Sequence, residues 1–174
     1  MAAFSCRLAN TANLAGILRL YAQPDLDNGE VRLCIEAEDF FERIARYPDY
    51  HLYVTVCDGQ IVGTFALLIM DNLGHLGAPS AIIEAVAIAP AWQRRGIGTM
   101  MMQHALRICA EKGCYKALLS SNLKRDKAHR FYESIGFTRH GYSFRVGIQA
   151  ESPRDQPEMI KNESMEIVYN DTID

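Results

Sequence analysis

Residues Ile82-Ile83-Glu84-Ala85-Val86-Ala87-Ile88-Ala89-Pro90-Ala91-Trp92-Gln93-Arg94-Arg95-Gly96-Ile97-Gly98-Thr99 constrain this chain more than any other stretch. An apolar strand pattern runs up to Pro90, crosses a short turn and passes through two glycines straight into a long helical pattern. A helix that opens on glycines is an anion site. Its first amide N–H groups have no intrahelical partner, the macrodipole puts partial positive charge there, and glycine lets a phosphate approach the backbone to hydrogen-bonding distance. Arg94 and Arg95 add formal charge beside it.

Two other phosphate loops are excluded by single residues. A Walker loop ends Gly-Lys-Ser/Thr, whereas Gly98 is followed by Thr99 and Met100. The dinucleotide fingerprint G-x-G-x-x-G needs a third glycine where Met101 stands, and the hairpin signal at Asp58-Gly59 also argues against a Rossmann-type domain.

The chain has 174 residues, 49% of them hydrophobic, which is enough for one domain with a real core and too little for two comfortable ones. A formal charge of −3 gives no overall basic field, and the Arg94-Arg95 and Lys124-Arg125 pairs are too local to track a nucleic-acid backbone. Nucleic acid is therefore not expected as a partner. The five cysteines, Cys6, Cys34, Cys57, Cys109 and Cys114, are odd in number and lack C-x-x-C spacing, so they read as reduced thiols with no metal site or disulfide framework. No apolar run is long enough for a membrane span and the N-terminus has no continuous apolar core, which leads us to expect a cytoplasmic protein with no membrane partner.

Periodicity gives the order of elements. Phe4 to Leu8 reads as a strand; Asn10 or Thr11 caps a helix bearing Leu14, Ile17, Leu18 and Tyr21, which Pro24 stops. Ala37 to Tyr47 reads as a second helix, and His51–Cys57 and Gln60–Met70 as antiparallel strands about Asp58-Gly59. A breaker-rich loop, Asp71 to Ser80, precedes the strand Ala81–Ile88. Gly98–Lys112 is a helix closed by Gly113, Lys116–Ser120 a short buried strand, Asp126–Ile135 a helix ended by Gly136, and Phe137–Val146 a further strand. Residues 147–163, with Pro153 and Pro157, read as a loop, and 164–170 as a final strand of a single domain spanning 1–174. Hairpins mixed with crossover helices describe an α/β fold whose central sheet is mixed and partly antiparallel, flanked by helices.

The pattern Gln93-x-x-Gly96-x-Gly98, together with Phe131-Tyr132-x-x-x-Gly136-Phe137 at the right separation downstream, resembles the GCN5-related N-acetyltransferases (GNAT) over nearly the whole chain. The resemblance implies the acyl-CoA N-acyltransferase fold, acetyl-CoA as co-substrate and no metal. It also implies that Val86, Ala87 and Ile88 pair their backbone with the pantetheine arm, and that Arg94, Arg95, Gly96, Ile97, Gly98 and Thr99 wrap the pyrophosphate. Where the family often carries a cofactor-holding asparagine this chain has Arg125, with Asn122 slightly earlier, and both are candidates for that contact. Ile83-Glu84 and Gly113-Cys114-Tyr115-Lys116 further resemble the glucosamine-6-phosphate N-acetyltransferases, except that Ala85 stands where those carry a second carboxylate.

Acetyl transfer to an amine demands a free-base amine, a polarised thioester carbonyl and a proton for the departing thiolate. Glu84 is the candidate general base; an ordinary glutamate near about 4.3 is weak against an alkylammonium near about 10.4, so a water relay or burial must help it. An amide near Ala87 or Ile88 would, by the resemblance, face the carbonyl oxygen. Tyr132 matches the family's general acid, and a phenol near about 10 can protonate a sulfur whose conjugate acid is near about 8.5. His129, one turn before Tyr132, reads as a helix-surface or packing residue. The acceptor, a small-molecule or peptide amine, would be selected by the loops Pro24–Glu36, Asp71–Ser80 and Gly147–Glu163, where Asp25, Asp27, Glu30 and Asp71 could attract a cation. A non-catalytic acetyl-CoA-binding module stays open as the alternative, and so does a homodimer through the final strands.

Overall fold

The computed structural model describes residues 4–24, 26 and 34–146. Contacts divide the chain after His140, so the unit ending there is described first and Gly141–Val146 by themselves. Along the first unit run β1 (Phe4–Leu8), α1 (Leu14–Tyr21), α2 (Cys34–Ala45), β2 (Tyr50–Cys57), β3 (Gln60–Met70), β4 (Ser80–Ile88), α3 (Ile97–Glu111), β5 (Lys116–Leu119) and α4 (Asp126–Ser134). The five strands form one sheet in the order β1-β2-β3-β4-β5, antiparallel up to β4 and parallel between β4 and β5. The expected mixed α/β class is what the chain adopts.

Local chemistry accounts for the joints. Asp58 and Gly59 both take left-handed backbone, φ 47° and 75°, which a two-residue hairpin needs to follow the twist of its strands. Asn10, one of the two expected caps, is the N-cap of a 3₁₀ turn, Thr11–Asn13, that runs straight into α1; Asn13 Oδ1 accepts from the Asn10 amide and from the Arg7 guanidinium, both at 3.0 Å.

The sheet has one core on each face. One gathers Phe65, Leu67, Ala81 and Ile83 against Ile97, Met101, Met102, Ala105 and Cys109 of α3. The other gathers Leu52, Val54 and Ala66 against Ile17, with Phe41 and Ile44 of α2 around it. Alternation along each strand divides its side chains between the two.

The strand expected over Phe137–Val146 does not form. Gly136, φ 97°, turns the chain back on α4, where the Phe137 amide donates to Tyr132 O at 3.1 Å and Arg139 pairs with Glu133 at 2.7 Å. Gly141–Val146 carry no regular secondary structure, and Tyr142, Phe144 and Val146 are exposed. An alternating pattern makes a strand only where a neighbour supplies the ladder. The expected loop 147–163 and strand 164–170 lie outside the described residues.

Candidate functional site

β4 changes character halfway along. Its register against β3 runs Leu67↔Ile83 and Ala66↔Glu84, then resumes at Thr64↔Ala87, so Phe65 faces two residues, Ala85 and Val86. This is a β-bulge, and Ala85 carries it with φ 49°, a left-handed value rare for a residue with a Cβ. On the other edge β5 pairs only with Ser80 to Ile83 and ends at Leu119, while β4 runs on to Ile88. The two parallel strands therefore part company where the bulge sits. Glu84 is the first residue past the paired stretch; it is exposed and shares the sheet face of Ala66 and Leu52. Val86, Ala87 and Ile88 follow it along the unpaired length, with Ala87 buried and the other two packed on the α3-side core.

Past β4 the chain makes a 3₁₀ turn, Pro90–Trp92, and Gln93 reaches back so that its Nε2 donates to Ile88 O at 3.4 Å. Arg94 and Gly96 both lie in the left-handed region, φ 60° and 81°. The first bond of α3 runs from the Met100 amide to Gly96 O at 3.1 Å, so the amides of Ile97, Gly98 and Thr99 precede the helical ladder and point out of its end. Ile97 is buried and anchors the turn, while Arg94, Arg95 and Gly96 stay exposed. The two arginines are not equivalent: the Arg95 guanidinium lies 4.9 Å over the Trp92 ring, which meets Phe4 edge-on at 5.9 Å. Arg95 thus braces the loop against the first strand.

Gly98 has a second reason to be glycine. A Cβ there would stand 3.0 Å from Phe131 Cζ and 3.3 Å from Ile88 Cδ1. The end of β4, the first turn of α3 and the middle of α4 therefore meet at one point, and the next residue along α4 is Tyr132. Its ring is packed by Phe131 at 5.2 Å and Phe137 at 5.8 Å; burial pushes the phenol above its ordinary range, with Arg125 pulling weakly the other way.

Between β5 and α4 the chain holds itself. Asn122 Oδ1 accepts from the Lys124 amide at 2.9 Å, and Asn122 O takes the Arg125 amide and His129 Nε2, each at 2.9 Å. The Asn122 carboxamide oxygen and His129 are thus engaged in shaping this loop, and Arg125 occupies the N-cap of α4. Two residues that sequence reasoning passed over stand out. Ser121 Oγ, just beyond the end of β5, is buried with no hydrogen-bond partner among the described residues. Tyr50, at the start of β2, has its phenol pushed up by burial and then by the negative charge of Glu84. Neither sits in a recognisable spacing; only the strand register brings Tyr50 and Glu84 onto one face.

The loop Asp71–Ser80 joins the sheet at the start of β4, the end away from the β4–β5 opening, and there His75 stacks on Tyr115 at 4.0 Å. Asp25, Asp27 and Glu30 lie outside the described residues. Among the described residues no helix is long and apolar enough to cross a membrane, and no three His, Cys, Asp or Glu side chains gather as a metal site.

With that geometry in hand, comparison with known proteins is decisive: the model of the Acetyltransferase (GNAT) family matches residues 11–137. The chain belongs to that family. The GNAT match takes in every candidate site residue from Glu84 to Tyr132 and ends on Phe137, the last residue of the second sequence block. Among relatives, glucosamine 6-phosphate N-acetyltransferase of Trypanosoma brucei brucei is 32% identical over 90 residues, 52% of this chain and 59% of that protein. Aminoalkylphosphonate N-acetyltransferase of Salmonella typhimurium is 29% identical over 97 residues, 56% and 62% of the two chains. The chain thus spans about three-fifths of the length of these curated relatives. A solved structure from Agrobacterium tumefaciens, assigned as an acetyltransferase, superposes with a TM-score of 0.78 at 30% identity, covering 83% of this GNAT chain and 99% of that one. Glucosamine-6-phosphate N-acetyltransferase from Arabidopsis thaliana shares the fold, with a TM-score of 0.74 at 21% identity over 84% and 99%.

Proposed function

We propose that this GNAT chain is an acetyl-CoA-dependent N-acetyltransferase acting on a primary amine by direct attack. The observation that carries the reading is the meeting of Ile88, Gly98 and Phe131 at the mouth where β4 runs on past β5. That junction sets three parts around one opening: an unpaired strand edge, a helix end with outward amides, and the helix bearing Tyr132. The unpartnered Ser121 hydroxyl at the same end of β5 fits a polar ligand lying between the strands.

When bound, acetyl-CoA supplies the acetyl group as an activated thioester. The amides of Ile97, Gly98 and Thr99 would hold its pyrophosphate, with Arg94 adding charge, and the edge of Val86, Ala87 and Ile88 would align its arm. Glu84 takes the proton of the incoming ammonium through a water; its exposure favours this relay over activation by burial. A β4 amide near Ala87 or Ile88 donates to the carbonyl oxygen as negative charge builds there. Tyr132, whose burial keeps it protonated, hands its proton to the departing sulfur. Two of the relatives are named for acetylating glucosamine 6-phosphate and aminoalkylphosphonate, so an amine that also bears a phosphate or phosphonate leads the list of acceptors.

The test is thiol release from acetyl-CoA against amino-sugar phosphates, aminoalkylphosphonates, polyamines, amino acids and peptide amines, run beside calorimetric binding of CoA. Release with at least one amine is expected. Saturable CoA binding with no release across the panel would replace the enzyme by a cofactor-binding module, and absence of binding would remove both.

A further inference from the structure

α3 ends in a way that sets two thiols side by side. Gly113 follows the helix with φ 73°; its amide donates to Ala110 O at 3.0 Å, and the Cys114 amide donates to Cys109 O at 2.9 Å. This pair of bonds is a Schellman motif, in which the two residues joined by the outer bond also pack on each other. Here both are cysteines. Cys109 is buried beneath α3 and Cys114 is half-buried beside it. The backbone bond limits their separation. An amide nitrogen lies about 1.46 Å from its own Cα and a carbonyl oxygen about 2.4 Å from its own, so the two Cα atoms are at most about 6.8 Å apart, within the span of a disulfide. Each thiol biases the ionisation of the other, in the sense that favours the proton on Cys109 and the charge on Cys114.

We propose that Cys109 and Cys114 form a reversible dithiol site that reacts with low-molecular-weight disulfides, of which oxidised glutathione is one, to close a disulfide across the end of α3. Cys114, the more accessible thiol, loses its proton to solvent and attacks one sulfur of the reagent; the reagent's S–S bond breaks and one reagent thiolate leaves. Cys109 then gives its proton to solvent and its sulfur attacks Cys114 Sγ, expelling the second reagent thiolate. Two protein thiols are oxidised and one small disulfide is reduced to two thiols, so no other reactant is needed. The order follows from the surroundings: burial, and then the neighbouring Cys114, push the Cys109 thiol up to about 11. Burial raises Cys114 as well, but the neighbouring Cys109 pulls it part of the way back. The pair was invisible as a redox motif because its C-x-x-x-x-C spacing becomes a contact only when the helix stops at Gly113.

The full chain, incubated with oxidised glutathione, quenched in acid, alkylated with iodoacetamide and cut with trypsin, gives a direct answer. Trypsin cleaves after Arg107, Lys112 and Lys116, so the peptides Ile108–Lys112 and Gly113–Lys116 separate unless a sulfur bond joins them. We expect the joined pair, loss of alkylation at both cysteines, and return of both on adding dithiothreitol. In Cys109→Ser the reaction should stop at a glutathione adduct on Cys114, and in Cys114→Ser Cys109 should stay free. A wild-type protein that keeps glutathione on Cys114 beside an alkylated Cys109, or that alkylates at both after oxidation, overturns the proposal without reference to any variant's folding.

Discussion

Tyr132 and Glu84 carry the proposed proton traffic, and their surroundings differ in kind. Tyr132 is packed between Phe131 and Phe137, so removing its hydroxyl takes away an acid and leaves the packing in place. Tyr132→Phe should lower kcat about a hundredfold or more, at the modest end for general acid catalysis, with CoA binding by calorimetry nearly unchanged. Because burial raises this phenol, the alkaline limb of the kcat profile should fall beyond about pH 10: the proton is present below the raised value and is lost only as pH climbs through it. A limb below that pH that survives in Tyr132→Phe would belong to another group. Glu84 is exposed, and its charge reaches Tyr50. Glu84→Gln should therefore lower the Tyr50 ionisation midpoint, read by ultraviolet difference spectra against a Tyr50→Phe control, while also cutting turnover. An unmoved midpoint would show that the two side chains do not sense each other in solution.

Among the elements, the first turn of α3 is the most exacting because it serves a helix end and a packing contact with the same residue. Gly98→Ala sets a methyl 3.0 Å from Phe131 Cζ, so the ring must give by a few tenths of an ångström in a junction where Ile88 also presses at 3.3 Å. We expect a loss of about 1–3 kcal/mol in denaturant unfolding, typical of overpacking, together with weaker CoA binding. Phe131→Leu in the same chain should recover part of the stability, and a double-mutant coupling energy near zero would rule out the contact as the cause. The Gly96 position is different. A Cβ there meets nothing, so the only penalty for Gly96→Ala is the left-handed φ of 81°, about 1–2 kcal/mol.

For the molecule as a whole, α3 is the keystone of the larger core: Met101 and Met102 are fully buried against the sheet, and Met101 Sδ occupies the space a Cβ on Gly63 would need. Met101→Ala should cost about 2–5 kcal/mol in unfolding free energy, since the rigid sheet beneath cannot collapse into the void. A much smaller loss would mean that α3 is loosely held. This packing also divides what was legible in the sequence from what was not. Strand–turn–helix succession, the Asp58-Gly59 hairpin and the helix stops at Pro24, Gly113 and Gly136 are local, fixed by backbone preferences within a few residues, and so the elements and the α/β class were readable from the chain. The Phe137–Val146 strand failed because strand formation depends on a neighbour that no local pattern supplies. The same limit hid the bulge at Ala85, the Tyr50–Glu84 pairing, the buried Ser121 hydroxyl and the Cys109–Cys114 contact. Sequence alone determined which residues stand near a helix start and which follow a strand. Only the tertiary structure decided that β4 outruns β5, that Arg95 turns to Trp92, and that Gly98 answers to Phe131, because register and packing join residues whose separation along the chain carries no record of their distance in space.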